Sequence, residues 1–121
     1  VNVASTASLK GYAYTTAYTA TKHALLGLTR SLAVELAKTA ITVNAVCPGY
    51  ADTEIISEAV ANIVAKTGRS EAEALKTFTA TNPQGRLIDP AEVAATVLWL
   101  VLDAARSVTG QAIAVAGGED M

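Results

Sequence analysis

The 121-residue sequence contains a single cysteine, Cys47, and a single histidine, His23. One cysteine excludes a disulfide within the chain, and the two residues together offer too few sulfur and nitrogen ligands for a zinc site. Basic residues are also few, because nine lysines and arginines stand against eleven aspartates and glutamates, for a net charge of −2. No basic cluster occurs, so we expect no metal and no nucleic-acid partner.

Long hydrophobic runs and targeting segments are also missing. No apolar stretch approaches the roughly eighteen residues of a membrane span. The start, Val1-Asn2-Val3, lacks the charged region and cleavage site of a secretion signal. We therefore expect a cytoplasmic protein without a membrane partner. Because 51% of the residues are hydrophobic and only 17% are charged, the chain should form one packed domain rather than a disordered segment.

The residues that are present include a tyrosine and a lysine four positions apart, Tyr18 and Lys22. Side chains at this spacing share one face of a helix, so the ammonium would lie close to the phenol. A nearby cation favours the phenolate form and makes a phenol usable as an acid or base near neutral pH. Ser5, thirteen residues before Tyr18, would add a hydroxyl donor to a substrate oxygen on which charge develops. The three groups suit the interconversion of a carbonyl and an alcohol.

The same spacing also arises by chance, and Tyr18 and Lys22 could then be an ordinary aromatic and a solvated base on a helix. The surrounding sequence favours the active site. A short apolar run at 1–4 precedes Ser5, and the segment Asn44-Ala45-Val46-Cys47-Pro48-Gly49 closes the next predicted strand. With these motifs in this order, essentially the whole chain resembles the short-chain dehydrogenase/reductase family.

The resemblance implies an oxidoreductase that uses NAD or NADP to interconvert a secondary alcohol and a ketone by hydride transfer. In the family mechanism Tyr18 exchanges the proton with the substrate oxygen and Ser5 orients that oxygen. Lys22 favours the phenolate and binds the nicotinamide ribose. The positions that the resemblance places at the cofactor are Tyr18, Lys22, Pro48, Gly49, Ala51 and Thr53. The alternative interpretation of the last four is a simple turn from strand to loop.

The implied fold is α/β, a partial doubly wound parallel sheet of the Rossmann-like type without its amino-terminal half. Residues 1–121 would be the carboxyl-terminal catalytic part of a single domain, with a helical substrate lid at about 53–85. Capping boxes at Ser70-x-x-Glu73 and Asp89-x-x-Glu92 start two of the helices. The predicted elements are strands at 1–4, 40–46 and 110–116 and helices at 17–37, 54–66, 71–79 and 90–102.

The helix at 17–37 is apolar on more than one face, so one face should cover the sheet and another needs a partner. The resemblance implies a homo-oligomer through this helix, whereas the alternative is that upstream helices cover it. This helix also supports a second interpretation of the whole chain, a noncatalytic oligomerisation module with a vestigial site.

The family's Gly-rich turn after a first strand is absent, and the one Gly-Gly pair, Gly117-Gly118, lies at the far end. We therefore expect the chain alone to be inactive and unable to bind NAD or NADP measurably, since the pyrophosphate needs that turn. The segments 82–86 and 114–119 are similar to members that act on 3-hydroxyacyl thioesters or 3-hydroxybutyrate. Tyr12 and Tyr14 are expected to pack rather than react, and the tail after Gly118 has no assigned role.

Overall fold

The computed structural model describes residues 1–120. Three short strands, β1 (Asn2–Val3), β2 (Ala45–Pro48) and β3 (Ala112–Val115), form one sheet in the order β1-β2-β3. Both pairs are parallel, and Val46 lies opposite Val3 on one side and Ile113 on the other. Because all three strands run in the same direction, their carboxyl ends meet at one edge of the sheet.

Four α-helices connect these strands. They are α1 (Thr16–Glu35), α2 (Glu54–Thr67), α3 (Glu71–Thr79) and α4 (Pro90–Leu100), with short 3₁₀ turns at Thr6–Ser8 and Asp103–Ala105. The helix α1 leads from β1 to β2, and the other three lead from β2 to β3. The predicted α/β fold with a parallel sheet is confirmed. Within residues 1–120 no helix has both the length and the apolar character needed to cross a membrane.

The helix boundaries follow local sequence signals. Ser70 accepts a hydrogen bond from the Glu73 amide, and the Glu73 carboxylate accepts one from the Ser70 amide, which completes a capping box at the start of α3. Asp89 and Glu92 form the second box, at the start of α4. Gly68 has φ 69° and ends α2 in the left-handed conformation that glycine tolerates best.

The core lies on both faces of β2. Successive side chains of a strand point to opposite faces. Ala45 and Cys47 accordingly pack on the α1 side against Leu26, whereas Val46 packs on the α4 side against Leu100. A third cluster lies between α2 and α3, where Ile56, Val60 and Ala74 are buried together.

The predicted strand at 40–46 is wrong at both ends, since the ladder starts at Ala45 and continues to Pro48. Just before it, the Asn44 and Val43 carbonyls still accept from the Asn2 and Gly110 amides, but other groups bond to side chains. The Val43 amide donates to Thr109 Oγ1 over 3.0 Å. The side chain of Asn44 donates to the Val108 carbonyl at 2.7 Å and accepts from the Gln111 amide at 3.0 Å. The Val43 amide and the Asn44 side chain therefore bond outside the regular ladder, which begins at Ala45.

Candidate active site

Ser5 lies at the carboxyl edge of the sheet, two residues after β1. Its backbone is extended, and its Oγ accepts a hydrogen bond of 3.1 Å from the Ala7 amide. This bond caps the 3₁₀ turn Thr6–Ser8. A hydroxyl that accepts in this way keeps its own proton for another acceptor.

Tyr18 and Lys22 lie on the first two turns of α1. The Lys22 Nζ donates to the Val3 carbonyl over 3.1 Å and lies 5.7 Å from the centroid of the Tyr18 ring. A distance below about 6 Å is within the range of a cation–π contact. Tyr18 is 51% exposed as a residue. The end of β1 therefore holds the ammonium beside a phenol that solvent can reach.

The opposite side of the site comes from the segment after β2. The Gly49 amide donates to the Val115 carbonyl over 3.1 Å, so the strand pairing continues one residue past Pro48. Ala51 then forms an isolated parallel bridge with Ile88. Thr53 caps α2 from an extended backbone, and its Oγ1 lies 3.3 Å from the Ala51 carbonyl.

One cleft of about 540 Å³ contains five of the seven predicted site residues, namely Ser5, Tyr18, Gly49, Ala51 and Thr53. The other two lie outside its lining, since Lys22 is bonded to the end of β1 and Pro48 closes β2. The remaining lining residues are Val3, Thr6, Ala7, Tyr12, Thr15, Tyr50, Ile55 and Ile56. The volume is typical of small-molecule sites.

A second groove of about 560 Å³ runs between α2 and α3. It shares Ile56 with the cleft but contains none of the predicted site residues. The similar volumes of the cleft and the groove do not indicate which of them is the active site. The chemistry does, because only the cleft holds the tyrosine with its ammonium neighbour.

Sequence reasoning missed two groups, Tyr12 in the lining of the cleft and Glu119 directly behind it. The Tyr12 hydroxyl donates to Glu119 Oε1 over 2.5 Å, and its oxygen lies 2.7 Å from Thr6 Oγ1. Burial, and then the hydrogen bond to Glu119, raises the pKa of Tyr12 well above its usual range. Glu119 follows the carboxyl end of β3, and parallel strands end at one edge, so its place in the chain was a usable signal.

Tyr50 joins the cleft to the helical pair behind it. Its ring contacts Phe78 of α3 edge to face, with centroids 5.3 Å apart. Burial, with a smaller contribution from Glu119, raises the pKa of Tyr50 above its ordinary value. Both Tyr12 and Tyr50 are therefore neutral near pH 7, and each presents a phenol rather than a charge to the cleft.

Comparison with known proteins identifies relatives along almost the whole chain. The family model described as enoyl-(acyl carrier protein) reductase matches residues 1–119. The chain is 42% identical over 118 residues to the granaticin polyketide synthase putative ketoacyl reductase 1 of Streptomyces violaceoruber, covering 98% of this chain and 43% of that protein. It is 35% identical over 119 residues to D-beta-hydroxybutyrate dehydrogenase of Cupriavidus necator, covering 98% of this chain and 46% of that protein.

Solved structures agree with these relatives. The actinorhodin polyketide ketoreductase F189W with NADPH superimposes with a TM-score of 0.88 at 41% identity, over 98% of this chain and 45% of that one. A short chain dehydrogenase family protein from Francisella tularensis gives 0.91 at 34% identity, over 97% and 49%. The chain spans under half the length of each of these relatives. Its sequence motifs, its fold and these matches agree, and the chain belongs to the short-chain dehydrogenase/reductase family.

Proposed function

We propose that this chain is the carboxyl-terminal catalytic half of an NAD- or NADP-dependent oxidoreductase that interconverts a secondary alcohol and a ketone. The observation that carries the proposal is the half-exposed residue Tyr18, whose ring has the Lys22 ammonium 5.7 Å from its centroid and opens into the same cleft as Ser5. An acid/base group, a cation beside it and a hydroxyl donor are the parts that proton exchange with a substrate oxygen requires.

Each side chain has one proposed role. Tyr18 gives the proton to the substrate oxygen during reduction and takes it back during oxidation. Ser5 donates its hydroxyl proton to the same oxygen, since the bond from the Ala7 amide uses only one of the two lone pairs and leaves the O–H free. Lys22 places a positive charge beside the Tyr18 ring. Of the three protons of its ammonium, the Val3 carbonyl binds one, which leaves two for other acceptors.

NAD or NADP, when bound, supplies or accepts the hydride. The donor set of this chain fits the nicotinamide end of such a cofactor. Lys22 has donors to spare for ribose hydroxyls, and Gly49, Ala51 and Thr53 bring backbone groups and one hydroxyl to the cleft. We propose that the pyrophosphate and adenine are held by sequence outside this chain. The share of the relatives' length that the chain spans, between 43% and 49% in the four above, supports this division.

The proposed substrate class is a 3-hydroxyacyl thioester or 3-hydroxy acid and the corresponding ketone. Ketoacyl reductases and hydroxybutyrate dehydrogenases among the relatives support it. The cleft also suits an alkyl chain next to the reacting carbon, because Val3, Ala7, Ile55 and Ile56 line it. We propose that the segment 53–85 closes over this substrate, since the first turn of α2 already forms one wall.

A homo-oligomer is part of the proposal. The helix α1 leaves Leu28 52% exposed and Val34 78% exposed. Apolar side chains of this size on one helix are typical of a contact surface. We propose that a second copy packs on α1, and that Leu28→Glu, tested by light scattering, lowers the assembled fraction.

The test uses the intact protein, meaning the whole polypeptide in which this chain occurs, with a 3-ketoacyl thioester and either NADH or NADPH. Tyr18→Phe removes only the proton-carrying oxygen, so kcat should fall by about 10²–10⁴-fold with an unchanged thermal unfolding midpoint. Tyr14→Phe is the matched control, because Tyr14 is fully exposed and lies outside the cleft. Substantial turnover by Tyr18→Phe with an unchanged pH profile would refute the assignment. A wild-type protein that assembles but oxidises neither cofactor would favour the noncatalytic module.

A further inference from the structure

Glu119 is a nearly buried carboxylate behind the lining of the cleft, and its side chain is only 1% exposed. Two side chains make three contacts with it. The Tyr12 hydroxyl donates to Oε1 over 2.5 Å, and the Lys10 Nζ lies 3.4 Å from the same oxygen. The Lys10 Nζ also donates to the Glu119 carbonyl over 2.8 Å. A buried charge is stable when it is paired and hydrogen-bonded, and both conditions hold here.

The contacts of Glu119 join the two walls of the cleft. Tyr12 belongs to the loop between Ser5 and α1, 107 residues away in sequence. On the other wall, a Cβ added to Gly49 would lie 3.0 Å from Glu119 Oε2 and 3.2 Å from the Cβ of Ala116. The lack of a side chain at Gly49 therefore leaves room for the Glu119 carboxylate, and any larger residue at this position would crowd it. Tyr12 and Gly49 both line the cleft.

The contact also determines what Tyr12 presents to a ligand. A phenol on a loop can rotate about two side-chain bonds, and its ring is free to turn out to solvent as that of Tyr14 does. Glu119 and Thr6 hold the hydroxyl end from two sides, at 2.5 Å and 2.7 Å. With its hydroxyl fixed, the ring forms a rigid wall of the cleft that also contains Tyr18.

We infer that Glu119 is a positioning residue that fixes Tyr12 as a wall of the substrate cleft, and that this pair determines substrate affinity in the proposed alcohol–ketone reaction. The inference rests on the proposed function. Tyr12 contacts the bound substrate, whereas Glu119 acts through Tyr12. Proton transfer stays with Tyr18, so loss of the pair should raise KM for the substrate more than it lowers kcat.

The kinetic test compares Tyr12→Phe, Glu119→Ala and Glu119→Gln in the intact protein, with Tyr14→Phe as the control on the same loop. The first two variants should raise KM for the ketone about tenfold and change KM for NADH or NADPH less than twofold. Glu119→Gln keeps an oxygen that accepts from Tyr12 and should recover part of the affinity lost in Glu119→Ala. The double variant Tyr12→Phe/Glu119→Ala should resemble the single variants, since the two residues act as one unit.

A chemical test does not depend on turnover. Tetranitromethane nitrates accessible tyrosines, and peptide mass spectrometry locates the products. Tyr12 should react far more slowly than Tyr14 in the wild type and should approach the rate of Tyr14 in Glu119→Ala. Equal rates in the wild type would overturn the inference. So would a Glu119→Ala protein that loses thermal stability but keeps its KM, because Glu119 would then only anchor the tail. Failure of the wild type to turn over, with Tyr12 still protected, would instead count against the proposed function.

Discussion

The cleft and the α2–α3 pair are organised by contacts of very different range. Across the cleft, Lys10 and Tyr12 bond to Glu119, which lies more than 100 residues away in the sequence. In the helical pair, Ser70 and Glu73 cap a helix from three residues apart, and neighbouring helices supply the buried cluster around Val60. The cleft therefore exists only when the whole chain is folded, whereas the cluster of the helical pair is built from residues within 50–87.

This difference bears on which part moves. Regions with few long-range contacts open at lower free energy than the rest of a protein. The helices α2 and α3 share one small cluster and leave a groove of about 560 Å³ between them. The wall that carries Tyr12 is fixed by a hydrogen bond between residues near the two ends of the sequence, Tyr12 and Glu119. We therefore expect the α2 side of the cleft to open for substrate while the Tyr12 side stays fixed.

The largest expected effect on stability comes from substituting Gly117, a glycine with positive φ in the segment that carries Glu119. Gly68, a glycine with positive φ at the end of α2, is the comparison in the helical pair. Gly117 has φ 61° and its missing Cβ would overlap the side-chain amide of Asn82, which is buried. Gly68 has φ 69° and nothing within 4 Å of that position. Gly117→Ala should lower the free energy of unfolding by about 2–4 kcal/mol, from backbone strain and overpacking together. Gly68→Ala should cost only the backbone strain, about 1–2 kcal/mol.

Urea unfolding of both variants of the intact protein measures this difference. Asn82 holds the turn before Ile88 through a bond of 2.8 Å from its Nδ2 to the Arg86 carbonyl. Displacing it should therefore also disturb the cleft. Equal losses of unfolding free energy in the two variants would show that the segment around Gly117 can move away from Asn82. The two regions would then not differ in this respect.

The second prediction concerns the core of the helical pair. Val60 is buried against Ala74, and Val60→Ala leaves a small cavity that should cost about 1–2.5 kcal/mol. Ile55, on the same helix, is exposed, so Ile55→Ala should stay within about 0.5 kcal/mol of the wild type. Hydrogen exchange is the sharper measurement, because amides of 54–79 should exchange faster in Val60→Ala while those of 45–48 keep their protection. Faster exchange in both segments would show that the pair does not open independently.

The same contrast explains what the sequence could predict. The start of α3 at Glu71 and of α4 at Pro90 depends on capping residues within three positions, and both boundaries are where the sequence places them. The family motif around Tyr18 could be predicted for a similar reason, since one helical turn places Lys22 on the same face of α1 as Tyr18. These are signals that short stretches of sequence carry by themselves.

The rest depends on contacts that no local pattern contains. The start of β2 was wrong because the side chain of Asn44 bonds to residues 64 and 67 positions later. No role for Glu119 could be predicted from the sequence for the same reason, since its partner Tyr12 lies near the other end of the chain. The topology supplies the missing step: groups that follow parallel strands meet at one edge, so a polar residue just after β3 is a candidate for the site.

A smaller effect is expected at the capping box of α3. Ser70→Ala removes the side chain that accepts from the Glu73 amide at 3.3 Å, which should cost about 1 kcal/mol. Ser70→Gly should cost only a few tenths, because glycine also suits this position. Circular dichroism during urea unfolding can order the two variants. If Ser70→Ala also altered substrate KM as strongly as Tyr12→Phe, the helical pair and the cleft wall would not be separate units.

The smallest expected effect distinguishes a local ion pair from the buried one at the cleft. Arg86 bonds to both carboxylate oxygens of Glu92 at 2.7 Å, on the exposed surface. The bonds from Arg86, and then the Asp89 amide, lower the pKa of Glu92 from 4.5 to about 2. A carboxyl whose pKa is lower in the folded state stabilises the protein above pH 4.5 and loses that contribution as the pH falls towards 2.

Glu92→Gln should therefore flatten the pH dependence of the unfolding free energy in that window, and Arg86→Gln should produce most of the same flattening. Because the pair is exposed, salt should weaken the effect. A wild-type slope between pH 4.5 and 2 that survives in Glu92→Gln would assign that slope to other carboxylates.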